Sequence, residues 1–485
     1  MRASQLERPL FVAVVTAAAA FAVYALSLAP DLTWANHGAD GAELITAAVT
    51  LGVPHPPGYP LYVILGKLFS FAPLGTVAFR FNLLSAICMA LAAGLISALV
   101  AAAQATQVSG QQAALERSHS RSVRLSRIIA ALCAGLCFAF LPLVWEQAII
   151  AEVYAMNMLV VSLALWFMFR PQQTPRVASL MGVALGLAVT THLTSLFLLV
   201  PAAVALPRRR WKQATLGMLA GLSPLLTLPI FASGGSPVVW GRVDNIAHWW
   251  WIVSARLYRP NVLSLPADAW RDRLAAWSGE PTLWIAVALL LLIFSRRQIL
   301  LRTTDRLTTA LLLTTALYIV YAFGYDANDA LVVVLPALAI LCLLAGLAFE
   351  QAHAVYLLLP LALLVLNFQE IDLSNYTEAR ALAELPLREA PQNAIIVTTG
   401  DHTTFSLWYL QHVEGQRRDV VIIDSNLLAF DWYRTRAARA HPSLRGLERD
   451  DLSAFRQLNE GLRPWCELHI DASGIRQYRC EDIAT

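Results

Sequence analysis

Long apolar runs alternate with short polar connectors over the first three quarters of this chain. The runs fall near 10–29, 80–103, 128–145, 148–169, 177–190, 192–206, 213–232, 282–295, 307–324, 329–348 and 352–368. A helix needs roughly 20 apolar residues to cross a hydrocarbon core. The pattern therefore predicts a polytopic α-helical membrane protein with about eleven transmembrane helices. The stretch from Val177 to Leu206 fits two short helices broken near Thr190-Thr191-His192, or one long tilted helix. The first run is longer than the roughly 7–15 apolar residues of a signal-peptide core, so the N-terminus reads as an uncleaved anchor.

Segment 57–74 reads differently. Leu61, Ile64, Leu65, Leu68 and Phe69 recur at helical spacing, and Tyr62, Gly66, Lys67 and Ser70 leave the other side more polar. Such a helix lies in the interface plane rather than crossing. With this segment left out of the spans, four basic connectors share one side: Arg117 to Arg127, Arg170 with Arg176, Arg208 to Lys212, and Arg296 to Arg306. Basic connectors mark the cytoplasmic face. This places the N-terminus in the cytoplasm. The first loop (30–79), the tryptophan-rich loop 233–281 and the tail then lie outside, periplasmic or extracellular, at a plasma (inner) membrane.

After Phe368 the pattern becomes that of a small soluble α/β domain. NAIIVTTG (393–400) and DVVIIDS (419–425) read as buried strands, with helices at TTFSLWYLQHV and from about Leu427 to Ala440. The end, CELHIDASGIRQYRC, reads as a hairpin turning near Ser473-Gly474. Cys466 and Cys480 either close it as a disulfide in an oxidising compartment or stay free. The division is 1–368 for the transmembrane domain and 369–485 for the soluble one.

Composition agrees. Hydrophobic residues make up 57% and charged residues 14% of the 485, against about 25% charged in soluble domains. A net charge of +3 with no long basic tract gives no support for nucleic-acid binding. No Cys/His spacing suggests zinc, and no phosphate-binding glycine loop suggests ATP-driven transport.

The candidate chemistry concentrates in the first loop. Asp40 and Glu43 stand three apart at a helix start, where both carboxylates can face one site or simply favour the helix N-terminus. The functional role is general base toward a hydroxyl. Pro54-His55-Pro56-Pro57-Gly58-Tyr59-Pro60 is a stiff turn that either joins two helices or holds His55 over an anion. Arg80, at the mouth of the second span, reaches lipid phosphate or a substrate phosphate. Arg256 and Arg259 have the same two readings. Trp145, Glu146, Gln147, Glu152 and Tyr154 flank the turn between the third and fourth spans, and Glu152 at membrane depth is a functional candidate by default. His192 fits a pocket, or an interhelical hydrogen bond, which is the favoured reading. Asp326, Asn328 and Asp329 fit a turn, and most tryptophans of 233–281 fit interfacial anchoring.

The stretches Asp40 to Glu43, Leu51 to Tyr62, Ala78 to Asn82, Trp145 to Tyr154, and Trp408 to Val420 with Trp432-Tyr433 resemble a family of multispanning proteins. An animal transmembrane protein O-mannosyltransferase belongs to it. That family is similar to the GT-C glycosyltransferases. The resemblance implies Asp40 as catalytic base with Glu43 in support. It implies donor-phosphate contacts by His55 and Arg80, with Arg256 a further candidate; from the residues themselves, Tyr59 joins the donor or lipid side and Glu152, Tyr154, His192 and Trp145 are the candidate substrate contacts. It further implies inverting transfer of a sugar, mannose among the candidates, from a polyprenyl-phosphate donor to a hydroxyl of a protein or glycan acceptor at the outer membrane face, with no metal or other cofactor. His55 stands where related enzymes carry a different basic residue before the Pro-Pro pair. Two other classes remain open on the residues alone: a transporter or flippase of lipid-linked sugars, and a non-enzymatic membrane receptor.

Overall fold

The computed structural model describes residues 4–106, 120–295, 306–348, 353–470 and 476–481. The predicted basic positions Arg117, Arg296, Arg297 and Arg302, and the hairpin turn at Ser473-Gly474, lie outside the described residues. The first half of the chain forms α1 (Ser4–Ser27), α2 (Gly41–Thr50), α3 (Pro60–Phe69), α4 (Val77–Thr106), α5 (Ser120–Phe140), α6 (Pro142–Ala148), α7 (Val153–Met168), α8 (Pro175–Thr191), α9 (Leu199–Ala205), α10 (Trp211–Gly221) and α11 (Leu228–Ser233). There follow α12 (Ile246–Val253), α13 (Trp270–Ser278), α14 (Pro281–Ser295), α15 (Arg306–Gly324), α16 (Leu335–Ala348) and α17 (Leu358–Ile371).

Among the described residues six helices are long and apolar enough to cross a membrane, and eight if α5–α6 and α13–α14 each count as one bent span. The α7 and α8 helices and the Leu193–Ala205 stretch are apolar but shorter. Each predicted apolar run coincides with one of these pieces, and Val177 to Leu206 is two helices that break at His192, where the backbone is extended. The bundle is centred on α4 and on α16, whose span is 94% buried. Tight crossings use small residues. A Cβ at Gly182 or Gly186 of α8 would lie 2.0 or 2.4 Å from a carbonyl oxygen of α10, and Gly217 and Gly221 of α10 meet α8 in the same way. Both helices thus carry glycines four apart, the spacing that lets membrane helices approach backbone to backbone.

The α3 helix is short and does not span. Its buried side is Tyr62, Val63 and Gly66, while Leu65 and Leu68 are exposed. The apolar stripe faces outward because the mixed side is the one packed on α2 and α4. Lys67 donates to the carbonyl of Val49 at 2.6 Å and so terminates α2. An outward apolar stripe on a short helix suits a membrane interface.

Beyond α17 lies the small α/β unit: α18 (Glu378–Glu389), β1 (Ile395–Thr398), α19 (Asp401–Trp408), β2 (Val421–Asp424), α20 (Asp431–Ala440), α21 (Leu452–Asn459), β3 (Trp465–Ile470) and β4 (Arg476–Glu481). The sheet order is β2-β1-β3-β4, with β1 parallel to both neighbours and β4 antiparallel to β3. Cys466 and Cys480 are opposite one another in that last pair and form a disulfide. The parallel pair β1 and β2 are fully buried runs, as a parallel sheet covered on two faces requires. Arg417 ties the unit together through Asp419 and the carbonyls of Leu387, Ala390 and Pro391.

This unit sits on the first loop. Trp34 Nε1 donates to Ser406 Oγ at 3.0 Å, the amide of Ala78 donates to Tyr409 Oη at 3.2 Å, and Arg380 bridges Asp31 and Glu414. The tail motif WYLQHV therefore supplies the docking face. First loop, tryptophan-rich loop and soluble unit gather at one end of the bundle, and Arg210 joins the Gln173 carbonyl at the other end of α8.

Candidate active site

The path from Thr33 to Asp40 is not a regular helix, because Asn36 and His37 take positive φ. This kink delivers Asp40 to the start of α2. Asp40 makes no capping hydrogen bond there, so the capping alternative does not account for it. Glu43, one turn on, is fully buried. It also does not serve the helix end, because its two oxygens take the amide of His55 at 2.9 Å and His55 Nδ1 at 2.6 Å.

His55 is the hub. Its Nε2 lies 3.6 Å from Asp40 Oδ2, so the imidazole stands between two carboxylates. The 54–60 turn places it there: the Pro56–Pro57 bond is cis, and Gly58 and Tyr59 take positive φ before α3 begins. The rings of Tyr59, Trp240 and Tyr258 meet the imidazole edge-on, at centroid separations of 5.1, 6.1 and 6.3 Å. Trp240 arrives by a second clip. Val53 donates to the Val238 carbonyl at 2.9 Å and accepts from Trp240 at 2.8 Å. Gly52 permits this approach, since a Cβ there would lie 2.1 Å from Val238 O.

Charge follows from this packing. Burial alone would lower the His55 pKa, but Glu43 and Asp40 outweigh it and raise it to about 10. Burial raises Asp40 to about 6; His55 opposes the rise, and Glu43 and Asp329 add to it. At neutral pH the site therefore holds an imidazolium beside a carboxylate whose side chain is 37% accessible. A carboxylate poised near the working pH suits proton abstraction.

A second group of polar residues adjoins it. Glu152 begins α7, accepts from the Val153 amide at 3.3 Å and acts electrostatically on both Asp40 and His55. Tyr154 donates to Asp329 Oδ2 at 3.1 Å and packs at 5.5 Å against His192. His192 Nδ1 shares a 2.7 Å hydrogen bond with Thr194. The structure thus unites Asp40, Glu43, His55, Tyr59, Glu152, Tyr154 and His192.

Three expected site residues stand elsewhere. Trp145 is fully buried, donates to Ser27 Oγ at 2.8 Å and packs on Phe368, so it is a core residue and has no surface to offer a substrate. Arg80 spends Nε, Nη1 and Nη2 on the carbonyls of Leu74, Ser70 and Gly75, at 2.8, 2.5 and 3.2 Å. It braces the loop after α3. Arg256 is exposed and makes no hydrogen bond or ion pair among the described residues. It shares the Arg256–Asn261 turn with Tyr258 and does not join the carboxylate cluster. His55 also differs from the expectation of a phosphate contact, because both ring nitrogens face carboxylates.

Asp329 and Asp401 adjoin this cluster, and Asp401 is not among the residues that the sequence singles out. Asp329 reads there as a turn residue. Asp401 opens α19 after Gly400, at the carboxyl end of β1, the edge where open α/β sheets place ligands. Burial raises its pKa to about 6, and Asp40 and Asp424 add to the rise while His55 opposes it. Chain alternation β1–turn–α19 is the signal that points to it.

Residues 40–215 match the family described as Protein O-mannosyl-transferase TMEM260 N-terminal domain, and residues 379–443 match TMEM260-associated domain 2. The chain is 28% identical to the mouse Protein O-mannosyl-transferase TMEM260 over 89% of its own length, and spans 65% of that protein's length. It is 26% identical to the Dictyostelium discoideum protein O-mannosyl-transferase tmem260 over 42% of its length and 26% of that protein. In fold it resembles a crystal structure of ArnT from Cupriavidus metallidurans bound to undecaprenyl phosphate: TM-score 0.55, 14% identity, 94% of this chain and 92% of that one covered. The chain is accordingly a multi-pass membrane protein with a GT-C-type fold and a small α/β unit, similar in sequence to the TMEM260 O-mannosyltransferases.

Proposed function

We propose that this chain is a membrane glycosyltransferase that moves a sugar, mannose by analogy with its relatives, from a polyprenyl-phosphate donor to an acceptor hydroxyl. The observation that carries the reading is Asp40: an accessible carboxylate not used as a helix cap, beside an imidazolium, in a site walled by aromatic rings. Asp40 removes the proton of the acceptor hydroxyl as its oxygen attacks the anomeric carbon. The bond from that carbon to the phosphate oxygen breaks, and the polyprenyl phosphate leaves with the electron pair. A single displacement inverts the anomeric carbon.

His55 keeps Asp40 ionised and fixed in place. Arg256, with Tyr59 and Tyr258 beside His55, is the cationic and hydroxyl surface for the departing phosphate, an electrostatic contribution that often dominates catalysis. Glu152, Tyr154, Asp329 and His192 hold the sugar hydroxyls. The reading assigns no step to a metal or other cofactor; its support is His55, which supplies positive charge at the carboxylates and occupies both oxygens of Glu43. The lipid-linked donor is supported by the undecaprenyl phosphate in the ArnT structure. The outer face of a plasma membrane, with the N-terminus cytoplasmic, is supported by the basic connectors and by the disulfide of the soluble unit.

Purified protein is tested for transfer from polyprenyl-phosphate mannose, wild type against Asp40→Asn, with donor binding measured in parallel. Loss of transfer with donor still bound supports the base. Equal transfer by both removes Asp40 from the mechanism. Donor binding and movement across vesicles without transfer by either points to a transporter.

A further inference from the structure

A cavity of about 1160 Å³ opens between the soluble unit and segment 229–244. Trp240 belongs to its lining and to the His55 aromatic wall, so the cavity and the proposed active site share a side chain. The Trp432 ring packs against Trp240 in the same lining, 5.4 Å from centroid to centroid. Trp240 is 6% exposed, yet its Nε1 has no hydrogen-bond partner. Trp432 Nε1 and Arg436 Nε, also buried atoms of the lining, have none either. Buried polar groups are nearly always paired, and these three unmet groups are all donors.

The unpaired charge of the lining is positive. Arg418 and Arg439 line it, are exposed, and have no ion-pair or hydrogen-bond partner among the described residues. Asp244 is the lining's carboxylate among the described residues, and it is engaged by His248. The ligand that fits must therefore supply flat apolar faces for the indoles, many acceptor oxygens, and negative charge. A pyranose has the C–H face and the oxygens, and a carboxylate on it answers the arginines. An acidic peptide answers the same charge and is the competing ligand in the test below.

We infer that this cavity binds the acceptor as an acidic carbohydrate, with its charged sugar between the tryptophans and Arg418 and Arg439. The inference rests on the glycosyltransferase reading for the word acceptor, while its binding chemistry stands apart from that reading.

The test is tryptophan fluorescence of the purified full chain, without donor, titrated with trigalacturonate, with its neutral methyl ester, and with a hexaglutamate peptide. Quenching by the acid sugar is expected, with about tenfold weaker binding of the ester and of Arg418→Ala or Arg439→Ala, the loss of one charge-assisted contact. Both arginines are exposed, so the fold is retained. Equal binding of acid and ester overturns the charge assignment. Hexaglutamate binding as tight as trigalacturonate overturns the carbohydrate assignment, and no binding of trigalacturonate overturns the site. Binding of the acid sugar in a protein that never transfers sugar leaves this inference standing and removes the proposed activity. Transfer to neutral acceptors that is indifferent to both arginines does the reverse.

Discussion

His55 and Glu43 meet twice: the backbone amide of His55 donates to one carboxylate oxygen at 2.9 Å, and Nδ1 lies 2.6 Å from the other. Twelve positions of chain separate the two residues. The contact closes the proline turn onto α2 and leaves Nε2 aimed at Asp40. Both oxygens of Glu43 are taken by His55, and Asp40 is the carboxylate left partly accessible.

Removing Glu43 should damage the fold more than removing Asp40. Glu43→Ala leaves a buried imidazolium without its main partner, and breaking a buried pair costs about 3–5 kcal/mol. Asp40 is partly accessible, so Asp40→Asn should abolish transfer with little loss of stability. Thermal unfolding of both variants in one detergent, read beside transfer, checks the split. Equal destabilisation would place Asp40 in the structural core of the site.

Transfer should weaken as pH falls through about 6, the value to which burial brings Asp40. The sign follows from the role: a base works only when ionised, and it gains its proton below its pKa. Asp329 raises that pKa by its charge. Asp329→Asn keeps an oxygen for the Tyr154 hydroxyl and drops the charge, so the acid limb should move to lower pH. A pH–rate profile of both proteins decides it; an unmoved limb would mean that another group titrates.

Gly52→Ala forces a methyl into the carbonyl of Val238 and Ser236 Oγ, which would lie 2.1 and 2.4 Å away. Overpacking of this kind costs about 1–3 kcal/mol. Trp240 rides on the same backbone pair, so transfer should fall together with the midpoint of unfolding. A variant with normal stability and normal transfer would show that the clip from Val53 to Val238 and Trp240 is dispensable.

Trp145→Phe should lower stability by about 1–3 kcal/mol, because Ser27 loses its buried donor and the core loses volume. The Michaelis constants for donor and acceptor should stay unchanged. A raised constant at unchanged stability would return Trp145 to the substrate surface.

The apolar runs alone determine that this is a multi-pass helical protein. Each run must bury its backbone polar groups in a helix wherever lipid replaces water. The strand–helix–strand alternation after Phe368 likewise determines the small α/β unit. The pairing of Asp40 with Glu43 was also legible, since their spacing places both on one face of α2. Only tertiary structure decided which carboxylate is free. Spacing cannot tell that the proline turn folds back to saturate Glu43 and leave Asp40 accessible. Nor can local sequence distinguish Arg80, spent on three carbonyls, from Arg256, which stays unpaired among the described residues, or the buried Trp145 from a surface indole. Asp329 and Asp401 lie hundreds of positions from Asp40, and the turn before α16 and the docked α/β unit bring them into electrostatic reach of it. Electrostatic coupling depends on distance and burial in three dimensions, which sequence separation does not encode.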